Sequence, residues 1–403
     1  MTRPATVIAA GALAFAATLA VLLLSGTAGG PAPDAPSRGG LSSTARIERL
    51  LATVADRPDD AAAYTSLADA YLQRARDLED FRDYDRAKAA VDRALMLAPG
   101  DPGALTESAV VRAGLHDFRG ALRDARRVRA IAPEVNKPFG ILVDSLVELG
   151  RYREAERALQ QMVDRKPNLD AYARVSYLRE LRGDLDGAEE ALRLAISAGG
   201  DATASTAYVR ALLGDLQLVR GRPRLALREF RAALRILPGH PKSAHGAGRA
   251  QIALGRQAEA VRTLRALVAR VPAADHYVDL ARAESATGQA GAARRSRARA
   301  LELARESPTL EPGVVLVEAR LGDPRRAVAL GRKLWRRAPS VATAHALGVA
   351  LVEAGERRQA RKWARRSLRL GSRDPQFLRD ARRAGVTPRR PLATPARARA
   401  TIS

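Results

Sequence analysis

Five histidines are the side chains of this chain most able to do chemistry. They are His116, His240, His245, His276 and His345, and no two stand four residues apart, the spacing at which one helix face holds a zinc ion. The sequence has no cysteine, which excludes disulfides, thiolate metal sites and a cysteine nucleophile. It also lacks a phosphate-binding loop, a zinc-protease motif and a nucleophile elbow. The motifs therefore predict no catalytic residue, no metal and no cofactor, and a protein that is not an enzyme.

Basic side chains make the strongest charge pattern, in two rows near the C terminus with a spacing of four residues. One row is Arg357, Arg361, Arg365 and Arg369, and the other is Arg358, Lys362 and Arg366. Spacing of four places each row on one face of a helix. Residues 201–403 hold 41 Lys and Arg against 16 Asp and Glu, whereas residues 1–200 hold 27 against 28. This basic face predicts contact with a polyanion, and a merely solvated helix surface is the alternative.

The kind of polyanion depends on the compartment. For an exported protein we expect anionic lipid or a cell-wall polymer, because each basic group near an anionic membrane contributes about 1 kcal/mol. For a cytoplasmic protein, nucleic acid would be the candidate, with strong salt dependence. Only 4% of the residues are aromatic, which disfavours binding by base stacking. Nucleic acid is therefore the weaker expectation.

A glycine followed five residues later by an alanine recurs seven times, at intervals of 33 to 38 residues. The pairs are Gly150/Ala155, Gly183/Ala188, Gly221/Ala226, Gly255/Ala260, Gly288/Ala293, Gly322/Ala327 and Gly355/Ala360. Such a period is typical of stacked helical hairpins. We expect the glycine to end the first helix in a left-handed cap, and the alanine to lie where two helices cross closely.

The positions within one period resemble the tetratricopeptide repeat (TPR). The fifth unit contains Leu213, Gly214, Ala226, Phe230, Ala233 and Pro238, which follow the family pattern of L-G, then A-x3-F, then a helix-ending proline. The resemblance covers about residues 45–385. It implies an all-α fold: an α-solenoid of about nine TPR-like helical hairpins that form a right-handed superhelix.

The resemblance also implies a binding groove, because the first helices of TPR hairpins line a concave surface that binds a segment of another protein. The residues that this register places there are Asp69, Gln73, Asp144, Glu148, Tyr177, Glu180, Asp215, Lys242, His245, Arg249 and Arg282. We expect the groove to be acidic in its first half and basic after unit six. A simply solvated face is the alternative. The Lys and Asn clamp with which some TPR proteins hold a peptide carboxylate is absent, since Thr65 and Asp69 stand there.

The N-terminal segment is apolar. Residues 5–24 carry no charge, and a helix of that length spans roughly 30 Å, enough to cross a bilayer. Residues 1–28 are therefore either an uncleaved membrane anchor or a signal peptide cut near Ala28. Both alternatives place the repeat domain outside the cytoplasm, at the cell membrane or secreted. Residues 29–41 form a Gly/Pro-rich tether, 42–385 the array with capping helices, and 386–403 a disordered basic tail.

Together these patterns predict a protein-interaction scaffold of the bacterial cell envelope. In this interpretation, a segment of a partner protein binds in the concave groove of the TPR array. The alternative is an adaptor that binds a polyanion through its Arg-rich C-terminal helices.

Overall fold

A computed structural model describes residues 43–78, 82–200 and 203–387. In these ranges the chain is helical with short turns and no strand. The hydrophobic helix expected within residues 1–28, the tether and nearly all of the expected basic tail lie outside the described residues. Among the helices that are described, none combines the length and the apolar character needed to cross a membrane.

The described ranges contain twenty helices, numbered in chain order. They are α1 (Ser43–Asp56), α2 (Ala61–Leu78), α3 (Arg82–Leu97), α4 (Pro102–Gly114), α5 (Phe118–Ile131), α6 (Lys137–Glu148), α7 (Tyr152–Arg165), α8 (Leu169–Leu181), α9 (Leu185–Gly199), α10 (Ala204–Val219), α11 (Pro223–Ile236), α12 (Pro241–Ala253), α13 (Gln257–Val268), α14 (Ala274–Ala286), α15 (Ala290–Glu306), α16 (Pro312–Leu321), α17 (Pro324–Arg337), α18 (Val341–Glu353), α19 (Arg357–Ser367) and α20 (Pro375–Arg383).

Helices α2 to α19 form nine consecutive hairpins, which we call units 1 to 9. In each unit the even-numbered helix is the first helix and the odd-numbered one is the second helix. Helix α1 packs on α2 before the first unit, and α20 packs on α18 and α19 after the last. Neighbouring helices also pack from one unit to the next, so the described chain is an all-helical, TPR-like solenoid. The right-handed sense of the superhelix remains a prediction.

The turns inside the units follow the predicted glycine caps, with one correction. Six of the seven glycines have φ between 68° and 79°, the left-handed region in which a side chain would be strained. The exception is Gly322, which follows the short helix α16. Its φ of −116° and ψ of −132° are outside the left-handed region. In unit 2 the non-glycine residue His116 takes the left-handed conformation, with φ 61°.

Close helix contacts depend on small residues, as predicted. Ala226 is completely buried between its neighbours. The Phe230 ring lies between two first helices, at Gly214 and Gly246. A Cβ built on those glycines would stand 2.6 Å and 2.2 Å from ring carbons of Phe230. Any side chain at either glycine would therefore force the ring or the helices to move.

We expect Ala226→Leu to lower the free energy of unfolding by about 1–3 kcal/mol, because the larger side chain overpacks a filled contact. Urea unfolding followed by circular dichroism measures the effect. Ala89→Leu is the matched control, since Ala89 lies inside α3 with its side chain exposed. Its stability should change by less than about 0.5 kcal/mol. Equal effects at the two positions would contradict the assigned packing.

The array coils until distant units contact each other. The Tyr152 hydroxyl, at the start of α7, accepts a hydrogen bond from the Val341 backbone N–H at 2.8 Å, across 189 residues. The Arg119 side chain donates to the Arg336 carbonyl at 3.1 Å, across 217 residues. Gly150 and Gly183, in the turns of units 3 and 4, lie against the carbonyls of Pro339 and Gly371. The segments that precede and follow unit 9 therefore lie on the turns of units 2 to 4. Acidic groups of distant units also come within electrostatic range of one another, as Glu148 does with Glu311 and Glu180 with Asp374.

Candidate binding surfaces of the repeat array

The predicted groove residues lie on first helices, but five of the eleven are buried and none is fully exposed. Asp144, Glu148, Tyr177, Asp215 and His245 are each less than 10% exposed. The other six are half-buried, and they are Asp69, Gln73, Glu180, Lys242, Arg249 and Arg282. The alternative of a simply solvated face is therefore wrong for the five buried residues. Contacts between neighbouring first helices contribute to this burial, as Asp144 meets Arg174 and His245 meets Asp279.

Ion pairs between neighbouring first helices hold these side chains. Asp215 on α10 accepts from Lys242 at 3.0 Å and from Arg249 at 2.8 Å, both on α12. Asp144 on α6 accepts from Arg174 on α8 at 2.7 Å and 3.0 Å, and both residues are buried. Paired groups of this kind compensate each other's loss of hydration. We call this set of inward side chains the first-helix face.

The expected division into an acidic and a basic half is not found. The cations Lys242 and Arg249 are paired with Asp215, so they give no net basic region. Acids also occur on the first helices of the later units, on α20 or at the starts of these helices, and they are Asp275, Asp279, Glu311, Asp374 and Asp380. Acidic and basic side chains therefore both occur along the described part of the face.

Sequence reasoning overlooked Arg174, Asp275, His276 and Asp279 as members of this face. A usable signal exists in the repeat itself. The contacts Asp215–Arg249 and His245–Asp279 each join residues that are 34 positions apart, one repeat length. Opposite charges one period apart therefore indicate contact between neighbouring first helices.

Two glutamates of the first-helix face have pKa values raised into the neutral range. Burial, together with the nearby charges of Asp374 and Asp215, raises the pKa of Glu180 to about 8. Burial and the neighbouring Asp144 raise the pKa of Glu148 to about 7. A raised pKa means that the ionised carboxylate lacks enough compensating positive charge. These two positions would therefore gain from an added cationic group.

Glu180→Gln should stabilise the protein at alkaline pH and have little effect at acidic pH. The pKa of Glu180 in the folded chain, about 8, lies above its ordinary value of 4.5. Stability associated with this group is therefore fully present below about pH 4.5 and is lost as the pH rises through 8. We expect a gain of about 1–3 kcal/mol near pH 8.5 from the substitution.

Urea unfolding between about pH 5 and pH 8.5 measures this difference. The matched control is Glu190→Gln on α9, because the Glu190 side chain is 71% exposed. Its effect on stability should be less than about 1 kcal/mol. A pH-independent effect of Glu180→Gln would show that Glu180 is solvated and charged in the folded protein.

The second helices of units 8 and 9 carry the predicted basic face. Together α17 and α19 contain twelve Arg or Lys residues and no Asp or Glu. Among the described residues, one of the twelve forms an ion pair: Arg332 lies 3.8 Å from Glu356. Arg357, Arg358, Arg361, Lys362 and Arg365 are all exposed. We call these five residues the exposed basic face.

The remaining two residues of the predicted rows have other contacts. Helix α19 ends at Ser367, so Arg369 does not continue the row. Its guanidinium lies 5.2 Å from the centre of the Tyr152 ring and donates to the Gly150 carbonyl at 3.4 Å. This is a correction to the sequence interpretation, and it makes Arg369 part of the contact between distant units.

Arg366 packs against the two tryptophans of the chain. Trp335 on α17 and Trp363 on α19 meet edge to face, with ring centres 4.7 Å apart. The Arg366 guanidinium lies 4.8 Å and 5.3 Å from the two ring centres. The two tryptophans therefore hold α17 and α19 together. Because their rings are already in contact with each other and with Arg366, they are poorly placed to stack on a base.

Comparisons with known proteins agree with this architecture. A family model described as tetratricopeptide repeat matches residues 142–205 and 211–275, so these two stretches of the chain are similar to that repeat. No curated protein matches the sequence.

Two solved structures illustrate the likeness in fold. One is human IFIT1, solved as a dimer with m7Gppp-AAAA, with a TM-score of 0.55 and 16% identity over 81% of this chain and 76% of that chain. The other is the APC/C hetero-tetramer Cut9–Hcn1, with a TM-score of 0.50 and 14% identity over 85% of this chain and 67% of that chain. At these identities the likeness concerns the fold.

Proposed function

We propose that the protein is a non-catalytic binding scaffold that docks on an anionic lipid surface through the exposed basic face of α19. The observation that carries this proposal is the concentration of twelve basic and no acidic residues on two neighbouring helices, with five of those side chains exposed on α19. By contrast, many charges of the first-helix face already have partners within the chain. A surface that keeps so many unpaired cations repels itself and is stabilised by an external anion.

Lipid is favoured over nucleic acid for two reasons. The tryptophans beside the basic face are occupied by each other and by Arg366, so they offer no free platform for bases. The uncharged residues 5–24 predict a membrane-associated or exported protein, in which an anionic membrane surface or a cell-wall polymer lies close to the array. The RNA in the IFIT1 structure belongs to that protein, and at 16% identity it does not argue for RNA here.

Sedimentation with lipid vesicles tests the proposal on a chain that starts at residue 42, so that the apolar segment cannot insert. We expect binding to vesicles containing phosphatidylglycerol, weakening as salt is raised, and none to pure phosphatidylcholine. Single-stranded RNA and heparin are the comparison ligands. Equal binding to neutral and anionic vesicles would refute the proposal. A clear preference for RNA at the same ionic strength would replace lipid with nucleic acid.

A second candidate is capture of a cationic protein segment by the first-helix face, at Glu148 and Glu180. The raised pKa values of these two glutamates favour it, because a lysine or arginine brought beside them would restore their charge. A fluorescent Lys/Arg-rich peptide should then bind the wild-type chain and lose affinity in the Glu148→Gln/Glu180→Gln variant. Unchanged binding in this variant would exclude the face as the peptide site.

A further inference from the structure

Two histidines and an aspartate of the first-helix face come together between units 6 and 7. His245 on α12 and Asp275 and His276 on α14 place one ligand atom each within 4.8 Å of one another. The two imidazole rings are 4.5 Å apart at their centres and meet edge to face. Both histidines are buried, at 9% and 5% exposure. The sequence gives no sign of this cluster, because His245 and Asp275 lie 30 positions apart and no motif links them.

Hydrogen bonds leave one ring nitrogen of each histidine able to bind a cation. His245 Nε2 lies 2.9 Å from the Asp279 carboxylate, and His276 Nδ1 lies 3.0 Å from the Val271 carbonyl. Both partners are acceptors, so these nitrogens carry the hydrogens. The opposite nitrogens, His245 Nδ1 and His276 Nε2, then present lone pairs. A carboxylate or carbonyl behind the ring is also the usual support of a histidine that binds metal.

Asp275 is oriented to supply the third ligand. Its Oδ1 accepts the His276 backbone N–H at 3.0 Å, which directs Oδ2 toward His245 Nδ1 at 3.6 Å. Two ligand atoms about 2.1 Å from one ion stand roughly 3.4 Å apart at the tetrahedral angle. The observed separation is therefore close to that of two ligands of one metal. The Asp275 side chain is 44% exposed, which leaves a path for an ion to enter.

We propose that His245, Asp275 and His276 form a site for a divalent transition metal, of which zinc is the ion best suited to two imidazoles and one carboxylate. Water would fill the fourth position, and Asp279 would hold His245 in the required tautomer. The ion would connect α12 to α14, so it would tie unit 6 to unit 7. Its role is structural in this arrangement, because it fixes the angle between two neighbouring repeats.

The chain contains a natural comparison site. His345 on α18 donates from Nε2 to the Asp380 carboxylate at 2.9 Å, as His245 does to Asp279. One repeat after His345, however, Gln376 and Phe377 stand where the zinc cluster has Asp275 and His276. The Phe377 ring stacks on His345 with centres 4.0 Å apart. This second histidine–aspartate pair therefore lacks the additional ligands and should not bind zinc.

Titration of the metal-free, untagged full chain with ZnCl2 in a calorimeter tests the proposal. We expect one equivalent to bind and the unfolding midpoint to rise with zinc. Asp275→Asn should weaken the affinity at least tenfold, His276→Phe should abolish it, and His345→Gln should leave it unchanged. Asp275 is partly exposed, so the Asn variant remains informative if the Phe variant does not fold. Absence of saturable binding, or wild-type affinity in both site variants, would overturn the proposal. Cobalt is a second probe, since tetrahedral coordination gives it visible absorption.

Discussion

Arg174→Met should lower the free energy of unfolding by about 3–5 kcal/mol, the usual cost of removing one partner of a buried ion pair. Arg174 is 1% exposed and contacts both oxygens of Asp144, at 2.7 Å and 3.0 Å. It also donates to the Asp170 carbonyl at 3.1 Å. The substitution would leave the Asp144 carboxylate buried without a cation, and burial already raises its pKa.

The pair fits only because of a glycine on the facing helix. A Cβ at Gly140 would lie 2.8 Å from the Arg174 guanidinium carbon. The guanidinium therefore packs directly on the α6 backbone, where water cannot replace Asp144 as its partner. This geometry is the reason to expect an effect several times larger than that of a surface ion pair.

Chemical unfolding followed by circular dichroism measures the loss, and Arg126→Met is the matched control. Arg126 pairs with Glu154 between neighbouring second helices at 3.5 Å, with side chains 50% and 35% exposed. Removing such an exposed pair should change stability by less than about 1 kcal/mol. The double variant Arg174→Met/Asp144→Leu should recover much of the loss, because it removes the unpaired charge. Equal losses in Arg174→Met and Arg126→Met would contradict the burial of the pair.

Replacing four residues of the exposed basic face by glutamine should weaken binding to anionic vesicles by about a thousandfold. The variant is Arg357→Gln/Arg361→Gln/Lys362→Gln/Arg365→Gln. Each basic group near an anionic membrane contributes about 1 kcal/mol, so four groups contribute about 4 kcal/mol. The fold should be unaffected, since all four side chains are exposed and α19 is anchored by the buried residues Ala360 and Ala364.

A second quadruple variant distinguishes binding through the α19 surface from attraction by the net charge of the whole chain. Helix α11 carries four exposed arginines with similar spacing, namely Arg224, Arg228, Arg231 and Arg235. Replacing them by glutamine lowers the net charge of the chain by the same amount. We expect this control to lose no more than about tenfold in affinity, through long-range electrostatics. Equal losses in the two variants would show that the overall charge, and not the α19 surface, drives binding.

The repeat architecture was predictable because its signals are local. A glycine that ends a first helix and an alanine at the next helix crossing recur once per unit, and both act within one hairpin. The described part of the chain therefore has nine hairpins where about nine were expected. Gly322 departs from the predicted left-handed turn, and the sequence around it gives no sign of this difference.

The binding surfaces were only partly predictable. Helical spacing alone placed Arg357 and Arg361 on one exposed face, because a row on a helix depends on no other part of the chain. Arg369 was misassigned because the helix ends two residues earlier and the chain there meets Tyr152 of unit 3. The end of a helix and a contact across more than 200 residues both depend on the tertiary arrangement.

The amino-acid sequence by itself determined the repeat period, the small residues at the helix contacts and the basic row on the last second helix. Only the tertiary structure decided which charges of the first helices meet, as Asp144 meets Arg174 and His245 meets Asp275 and His276. The physical reason is that each repeat adds a small rotation to the stack. The sum of these rotations determines whether an inward side chain faces water or another charged group.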